Sequence, residues 1–364
     1  MAKLTDLKST CFDRAERPFE TGFLSKAPGD RKVIHIAGLG DVGRIMAIGL
    51  MLEGGDVVER IGLYDLSEAQ CERMAVELGQ ISYPCGGKRL PDIVSLAAPA
   101  SGGEDAGTPG QTSRPAPAMP ADLFDCDVFL FSATKAVPEV GSGVGDVRMA
   151  QYEANRGIVG LYAKKATEAG FKGLFGVVSD PVELLCRSAL TTSEEYANAN
   201  GLTPLSPGQI QGFGMGVMFA RAAYFARRLS GDHSGNSFPE EGRVFGQHGQ
   251  ELIVANSTLP DRYDDDLSKQ LTALTVSANK EVRALGFKPF IAPALSSAAL
   301  TILEVIRGGW TDSSIFLNGL YFGVRNRVTE TGRQIDPASL GDLPDSLTER
   351  ITHAYMTIDE MAAR

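Results

Sequence analysis

Short apolar runs alternate with amphipathic stretches along the first half of the chain. Residues 33–37 (VIHIA) form an apolar run that predicts a buried strand, and residues 38–40 (GLG) predict a sharp turn. Across residues 41–54 the apolar positions recur at spacings of three and four, which predicts an amphipathic helix that ends at a glycine pair. Residues 60–65 predict a second strand, so this segment indicates a strand–helix–strand unit with parallel strands.

The same alternation continues further along the chain. Ser67 predicts the cap of a second helix, and Gln70 completes the pattern of a capping box. Apolar runs at residues 127–131 and 173–178 predict two more buried strands, and residues 150–169 predict the helix between them. The repeated pattern predicts an α/β fold, in which a Rossmann-type doubly wound parallel sheet is followed by an α+β substrate domain.

A glycine-rich turn joins the first predicted strand to the first predicted helix. Gly38 allows the tight turn, Gly40 allows a pyrophosphate to approach the backbone, and Gly43 allows the helix to pack closely on the strand. The N–H groups at the helix start suit the phosphates, and Asp65 suits a ribose diol. The residue after Asp65 is Leu66 and not a cation, so the pattern predicts NAD in preference to NADP. The residues predicted to contact the cofactor are Gly38, Gly40, Asp41, Val42, Gly43 and Asp65.

Composition suggests how the chain is divided. Residues 1–30 are polar and irregular and predict an N-terminal arm. Residues 31–214 predict the NAD-binding Rossmann domain, and within it residues 97–120 are rich in Ala, Pro, Gly and Ser and predict a flexible insert. From there a long helix leads into mixed strand and helix, so residues 215–364 predict the catalytic, substrate-binding domain.

Length, charge and cysteine usage limit the classes of function. The chain has 364 residues and a formal net charge of -10, which argues against binding to nucleic acid or to an anionic membrane. We find no apolar run long enough to span a bilayer, and the polar N-terminus does not read as a signal peptide. The 5 cysteines are scattered and the 4 histidines lie apart, which predicts reduced thiols and no metal site. Together these features predict a cytoplasmic protein.

A more specific pattern runs through the rest of the sequence. Its motifs are NRGIV at 155–159, VVSDPV at 177–182, QGFG at 211–214 with Arg221 downstream, GQHG at 246–249 and NGLYFGV at 318–324. With the glycine turn, this order resembles the lactate/malate dehydrogenases from about residue 31 to the C-terminus. We therefore interpret the chain as a divergent member of that family.

The resemblance implies roles for several side chains. His248 would carry the proton to or from the reacting oxygen, because imidazole titrates near neutrality. Arg221 would hold the substrate carboxylate through two parallel hydrogen bonds, and Arg148, on a glycine-rich loop, would close over the site and polarise the carbonyl. Val137 occupies the loop position that separates malate from lactate specificity, and an apolar residue there favours a lactate-like substrate.

Two positions depart from the family pattern. Met218 lies three residues before Arg221, where the family has the aspartate that pairs with the catalytic histidine. Asp180 stands where the V-S-N-P-V motif of the family has asparagine. Compared with the family pattern, the chain therefore gains a carboxylate at position 180 and lacks one at position 218. Asp180 could take over as the partner of His248, it could face a cationic amine or imine of the substrate, or the chain could bind dinucleotide and catalyse poorly.

These features predict an enzyme that transfers a hydride reversibly between NADH and a small carboxylate-bearing 2-oxo acid. In the reverse direction this enzyme oxidises the CH–OH group of the 2-hydroxy acid with NAD. One alternative is an imine or amino-acid-type dehydrogenase on the same scaffold. Another is a dinucleotide-binding protein with little turnover. The resemblance also predicts a homodimer or homotetramer, since closed two-fold interfaces are the commonest assembly.

Overall fold

The computed structural model describes residues 20–27, 29–96, 119–135, 147–230, 237–287 and 292–362. Most of the predicted N-terminal arm and most of the predicted insert lie outside these ranges. Val137 also lies outside them, and only the backbone of Arg148 is described.

Strands and helices alternate through the first half of the described chain. The strands are β1 Lys32–Ala37, β2 Val58–Tyr64, β3 Asp92–Ser95, β4 Val128–Phe131, β5 Leu174–Val177, β6 Ile210–Gly212, β7 Arg243–Gly246, β8 Leu252–Ala255, β9 Thr311–Leu317, β10 Leu320–Thr329 and β11 Gly332–Ile335. The helices are α1 Asp41–Glu53, α2 Glu68–Gly79, α3 Val147–Glu168, α4 Val182–Asn200, α5 Met215–Ser230, α6 Phe238–Glu241, α7 Asp265–Ala284, α8 Ser296–Ile306 and α9 Asp345–Ala362.

The first six strands form the parallel part of a single sheet, in the order β3-β2-β1-β4-β5-β6. β1 pairs in parallel with β2 and β4, and β5 pairs in parallel with β4 and β6. The VIHIA run of β1 is almost entirely buried because this strand has neighbours on both sides. Doubly wound dinucleotide-binding folds have this strand order, so the predicted fold class is confirmed.

The sheet continues into the second half of the chain. β6 pairs antiparallel with β9 at Gly212 and Ser314, and the sheet then runs through β10, β7 and β8, with β11 on β10. The strands of this second half pair antiparallel, in contrast to those of the first half. A division of the chain after residue 214 stays a prediction.

Two apolar clusters cover the two faces of the parallel sheet. On one face α1 packs against α8, where Gly49 leaves the room that the Ala299 methyl group fills. On the other face α3 and α4 cover the aromatic side chains of β4 and β5. Tyr162 of α3 stacks on Phe129 with 5.7 Å between the ring centroids, and Phe129 lies 5.1 Å from Phe175.

The predicted capping box of α2 forms only in part. Ser67 Oγ accepts from the Gln70 N–H at 3.3 Å, but the Gln70 side chain donates to Leu39 O at 3.2 Å instead of binding the cap. The reason is that the Ser67 N–H already donates to Asp65 Oδ1 at 3.0 Å, which leaves Gln70 nothing to accept there. Gln70 therefore braces the glycine turn.

Two further local features differ from what the sequence predicts. Helix α3 begins at Val147, so the backbone of Arg148 lies in its first turn and not in the preceding loop. Residues 146–156 contain no glycine or proline that would delay the helix start. Strand β3 was not predicted, because it has only 4 residues and directly precedes the Ala- and Pro-rich insert.

Candidate active site

Four parallel strands end in one row at the edge of the sheet. Ala37, Phe131, Val177 and Gly212 pair with one another across β1, β4, β5 and β6. The segments that follow these strands carry the glycine turn, Asp180 and the start of α5. Ligands of doubly wound sheets bind outside the carboxyl ends of the strands, so this edge is the candidate site.

The glycine turn after β1 has the geometry that a dinucleotide requires. Gly38 has a φ of +99°, and a Cβ atom there would collide with the backbone of Ala133. A Cβ atom on Gly43 would collide with Gly38 O, so α1 packs closely against the turn. A Cβ atom on Gly40 would meet no atom of the described residues within 4 Å, so these residues leave room for a phosphate to approach the backbone.

The first turn of α1 offers hydrogen-bond donors beside that space. Gly40 is the N-cap and no side chain caps the helix, so the N–H groups of Asp41 and Val42 have no intrahelical partner. The positive end of the helix dipole also favours an anion here. The Asp41 carboxylate is held in an ion pair by Arg44, which limits its repulsion of a phosphate.

Asp65 follows β2 and is anchored by two backbone donors. Its Oδ2 accepts from the Leu39 N–H at 2.8 Å, and its Oδ1 accepts from the Ser67 N–H at 3.0 Å. Each oxygen keeps a second lone pair, so a ribose diol can also donate to this carboxylate. The glycine turn, the uncapped helix and Asp65 therefore fit a dinucleotide such as NAD.

His248 lies in the GQHG loop after β7 and is oriented by the main chain. Its Nδ1 lies 2.9 Å from Gly214 O; a carbonyl only accepts, so Nδ1 carries the proton and the neutral ring has its lone pair on Nε2. A Cβ atom on Gly214 would lie 2.7 Å from His248 Cβ, so this approach requires glycine. The Gly214 carbonyl thus fixes the tautomer of the His248 ring.

Asp180 follows β5 and lies beside the imidazole. Its Oδ1 is 3.8 Å from His248 Nε2, which is too far for a direct hydrogen bond but close enough for the two charges to interact. This Oδ1 is buried and has no hydrogen-bond partner among the described residues. Asn155 holds the backbone in place, since its Nδ2 donates to Asp180 O at 3.0 Å. The structure therefore brings together two residues that the sequence singled out.

A second carboxylate, which the sequence interpretation missed, lies behind His248. Glu183 is 1% exposed, and its Oε1 accepts from the His248 N–H at 3.0 Å and from Ser314 Oγ at 2.8 Å. It therefore ties the GQHG loop to α4 and to β9. The sequence did contain a signal, because Glu183 is the charged residue within the otherwise apolar run 182–186.

Arg221 lies on α5 and is partly buried. Its Nη1 contacts Met218 Sδ at 3.7 Å, and its Nε is buried without a hydrogen-bond partner in the part of the chain that the structure describes. Burial lowers the pKa of the Arg221 guanidinium, while the charge of Asp180 raises it. Met218 is 3% exposed, so it supplies packing and no charge. The guanidinium therefore has donors available for an anionic ligand.

Comparison with solved structures shows which known proteins share this architecture. The chain is 18% identical to a lactate dehydrogenase from a Medee basin deep-sea metagenome library, with a TM-score of 0.67 over 91% of this chain and 98% of that one. It is 16% identical to a minor L-lactate dehydrogenase from Enterococcus mundtii, with a TM-score of 0.64 over 92% and 98% of the two chains. It is 18% identical to a malate dehydrogenase from Archaeoglobus fulgidus in complex with NADH, with a TM-score of 0.65 over 91% and 98%. No family model and no curated protein matches the sequence.

The chain has the lactate/malate dehydrogenase fold. Within that fold, two predicted site residues have no described side chain: Arg148 lies in the first turn of α3, and Val137 lies outside the described residues. The described residues hold no group of three or more His, Cys, Asp or Glu side chains that could bind a metal ion. None of their helices is long and apolar enough to cross a membrane.

Proposed function

We propose that the protein is an oxidoreductase that moves a hydride between a nicotinamide cofactor and a small carboxylate-bearing substrate, a 2-oxo acid and its 2-hydroxy acid. The observation that carries this proposal is the meeting of Asp180, His248 and Arg221 beside a glycine turn that is open to phosphates. The fold shared with lactate and malate dehydrogenases supports it.

The side chains divide the work of this reaction. Arg221 binds the substrate carboxylate, because a planar guanidinium donates two parallel hydrogen bonds. His248 Nε2 accepts the proton of the 2-hydroxyl group during oxidation and returns it to the oxygen during reduction. A bound nicotinamide supplies or accepts the hydride. We assign to Arg148 the polarisation of the substrate carbonyl group.

Asp180 provides the negative charge that the protonated imidazole needs. The aspartate that would pair with the ring from position 218 is replaced by Met218. The 3.8 Å between Asp180 Oδ1 and His248 Nε2 supports a division of that task. The Gly214 carbonyl fixes the tautomer, and Asp180 stabilises the charged form.

The cofactor in this proposal is NAD(H) and not NADP(H). The Asp65 carboxylate accepts from the ribose diol and repels a 2′-phosphate, and Leu66 brings no cation to offset this. Titration calorimetry with the two reduced cofactors tests the choice, and we expect tighter binding of NADH. Asp65→Ser should narrow the difference, whereas equal affinities in the unchanged protein would contradict this assignment.

Three further expectations belong to this proposal. The apolar Val137 favours a lactate-like over a malate-like substrate. We propose a homodimer or homotetramer, which solution scattering at micromolar concentration would distinguish from a monomer. We also propose a cytoplasmic location, in keeping with the acidic composition and scattered thiols.

A turnover screen tests the function itself. Loss of NADH absorbance is followed with a panel of small 2-oxo acids, each with and without an added amine. We expect oxidation of NADH by at least one of them, and its loss in a His248→Gln variant that still binds NADH. If NADH binds but no member of the panel is reduced, the protein is a dinucleotide-binding protein with little turnover and the proposal is wrong.

A further inference from the structure

The reacting end of the site is rich in hydrogen-bond acceptors. An ionised carboxylate only accepts, and Asp180 Oδ1 is buried with no hydrogen-bond partner in the described ranges. Because Nδ1–H of His248 donates to Gly214 O, the acceptor atom of the neutral imidazole is Nε2, which lies on the side of Asp180. The 3.8 Å between Nε2 and Asp180 Oδ1 is short enough for one ligand atom to contact both.

The number of hydrogens on that ligand atom decides how well it satisfies the site. A ketone oxygen only accepts, so it gives Asp180 nothing and faces its negative charge. A hydroxyl group has one hydrogen and can satisfy either Asp180 or His248 Nε2. An amino group has enough N–H bonds for both acceptors, and a protonated amine or iminium also brings the charge that a carboxylate favours.

Asp180 also interacts electrostatically with a cation, Arg221. Arg221 feels the charge of Asp180 and keeps donors available for an anionic group. The site therefore presents a guanidinium for a carboxylate and a carboxylate for a cation. A zwitterion with both charges attached to one carbon matches this arrangement better than a simple anion does.

We propose that this site acts on 2-amino acids and their 2-imino acids, with the nitrogen on C2 seated between Asp180 and His248 and the carboxylate on Arg221. The inference rests on the proposed nicotinamide chemistry and extends it from oxygen to nitrogen. Asp180 is then the residue that selects nitrogen, because its family counterpart, an asparagine, could donate to a carbonyl oxygen and Asp180 cannot.

The reaction balances without any further reactant. Oxidation starts from the neutral amine, whose ammonium form has given one proton to His248 Nε2. The hydrogen on C2 then leaves with its electron pair to the nicotinamide, and the nitrogen lone pair forms the C=N bond of the iminium ion. Reduction reverses this step. The iminium ion forms from a 2-oxo acid and ammonium, or the protonated form of a small primary amine, with loss of one water molecule.

Binding of matched ligand pairs tests the inference. Calorimetry in the presence of NAD compares 2-amino with 2-hydroxy acids that carry the same methyl, isobutyl or benzyl side chain. We expect the amino member to bind at least about tenfold more tightly in one pair or more, as the gain of one hydrogen bond to a charged group implies. Asp180→Asn should remove this preference, since the amide offers a donor in place of a charge. Asp122→Asn, an exposed aspartate of similar chemistry, is the matched control and should leave the preference unchanged.

The turnover screen with amines separates this inference from the proposed function. We expect ammonium to raise the rate of NADH oxidation by the 2-oxo acid. In the Asp180→Asn variant, which should favour the carbonyl group, we expect ammonium not to raise this rate. If 2-oxo acids are reduced without any effect of ammonium and the 2-hydroxy acids bind more tightly in every pair, the inference is overturned and the proposed function stands. If no substrate of either kind is turned over, both fail.

Discussion

The proposed function leaves the Arg221 guanidinium to be satisfied by a ligand, so Arg221 should lower the stability of the ligand-free protein. Among the described residues its buried Nε has no hydrogen-bond partner, and its Nη1 contacts Met218 Sδ at 3.7 Å. A buried donor that lacks a partner costs about 1–3 kcal/mol, and the partial exposure of Arg221 places it toward the lower end. Arg221→Met keeps an unbranched apolar stem beside Met218. We therefore expect the free energy of unfolding to rise by about 1 kcal/mol.

Arg243 provides the matched control for this substitution. Its Nε donates to Asp336 Oδ2 at 2.7 Å, and both side chains are largely buried. Arg243→Met leaves Asp336 as an uncompensated buried charge and should lower the free energy of unfolding by about 3–5 kcal/mol. The same substitution, Arg to Met, is thus expected to raise the free energy of unfolding at position 221 and to lower it at position 243.

Two measurements on each variant complete the test. Urea denaturation of the ligand-free proteins, followed by circular dichroism, gives the free energies of unfolding. Kinetics with NADH and the best substrate should show that Arg221→Met lowers kcat/KM at least about a hundredfold, the loss expected for two charge-assisted hydrogen bonds. If Arg221→Met destabilises the protein as strongly as Arg243→Met does, Arg221 has a structural role and the reasoning is refuted.

Three other substitutions follow from the contacts around the site and the sheet. Gly214→Ala places a methyl group against His248, so kcat should fall about a hundredfold while NADH affinity by calorimetry stays unchanged; an unchanged kcat would contradict the geometry. Glu183→Gln puts a buried N–H₂ group where Oε2 has no hydrogen-bond partner among the described residues, and we expect kcat to fall about tenfold with the KM for NADH unaltered. Burial lowers the pKa of His35, and the hydrogen bond to Leu123 O offsets this only in part. At a pH below the ordinary value of 6.5, the unfolded chain therefore binds a proton at this ring more readily than the folded protein does. Stability should therefore fall as the pH drops below that value, and His35→Gln should remove up to about 1.4 kcal/mol per pH unit of this loss in urea titrations. A variant with the same pH dependence as the unchanged protein would show that other groups cause it.

The sequence predicted those features of the fold that depend on local chemistry. The positions of Gly38 and Gly43 follow from the steric demands of a strand–turn–helix unit, and both are packed as those demands require. The departures at Asp180 and Met218 suggested that Asp180 could be the partner of His248, and Asp180 does lie beside the imidazole. In these cases a residue type is informative because few alternatives can occupy the position.

What the sequence did not predict depends on contacts between distant segments. Glu183 binds the backbone of a loop that lies 65 residues away, so no local pattern reveals its partner. The Gly214 carbonyl orients His248 through a backbone atom that every residue possesses. Gln70 fits a capping box locally, but the Ser67 N–H that its side chain would bind donates to Asp65 instead. Such outcomes are set by competition in three dimensions.

Transfer of a labelled hydride tests the central claim most directly. NADH that carries deuterium at the transferable position of its nicotinamide ring is mixed with the protein and the best substrate from the turnover screen. We predict that the product carries the deuterium on C2, as nuclear magnetic resonance and mass spectrometry can establish, and that Arg221→Met and His248→Gln lose this transfer. NADH consumption that leaves no deuterium on C2 would contradict the account.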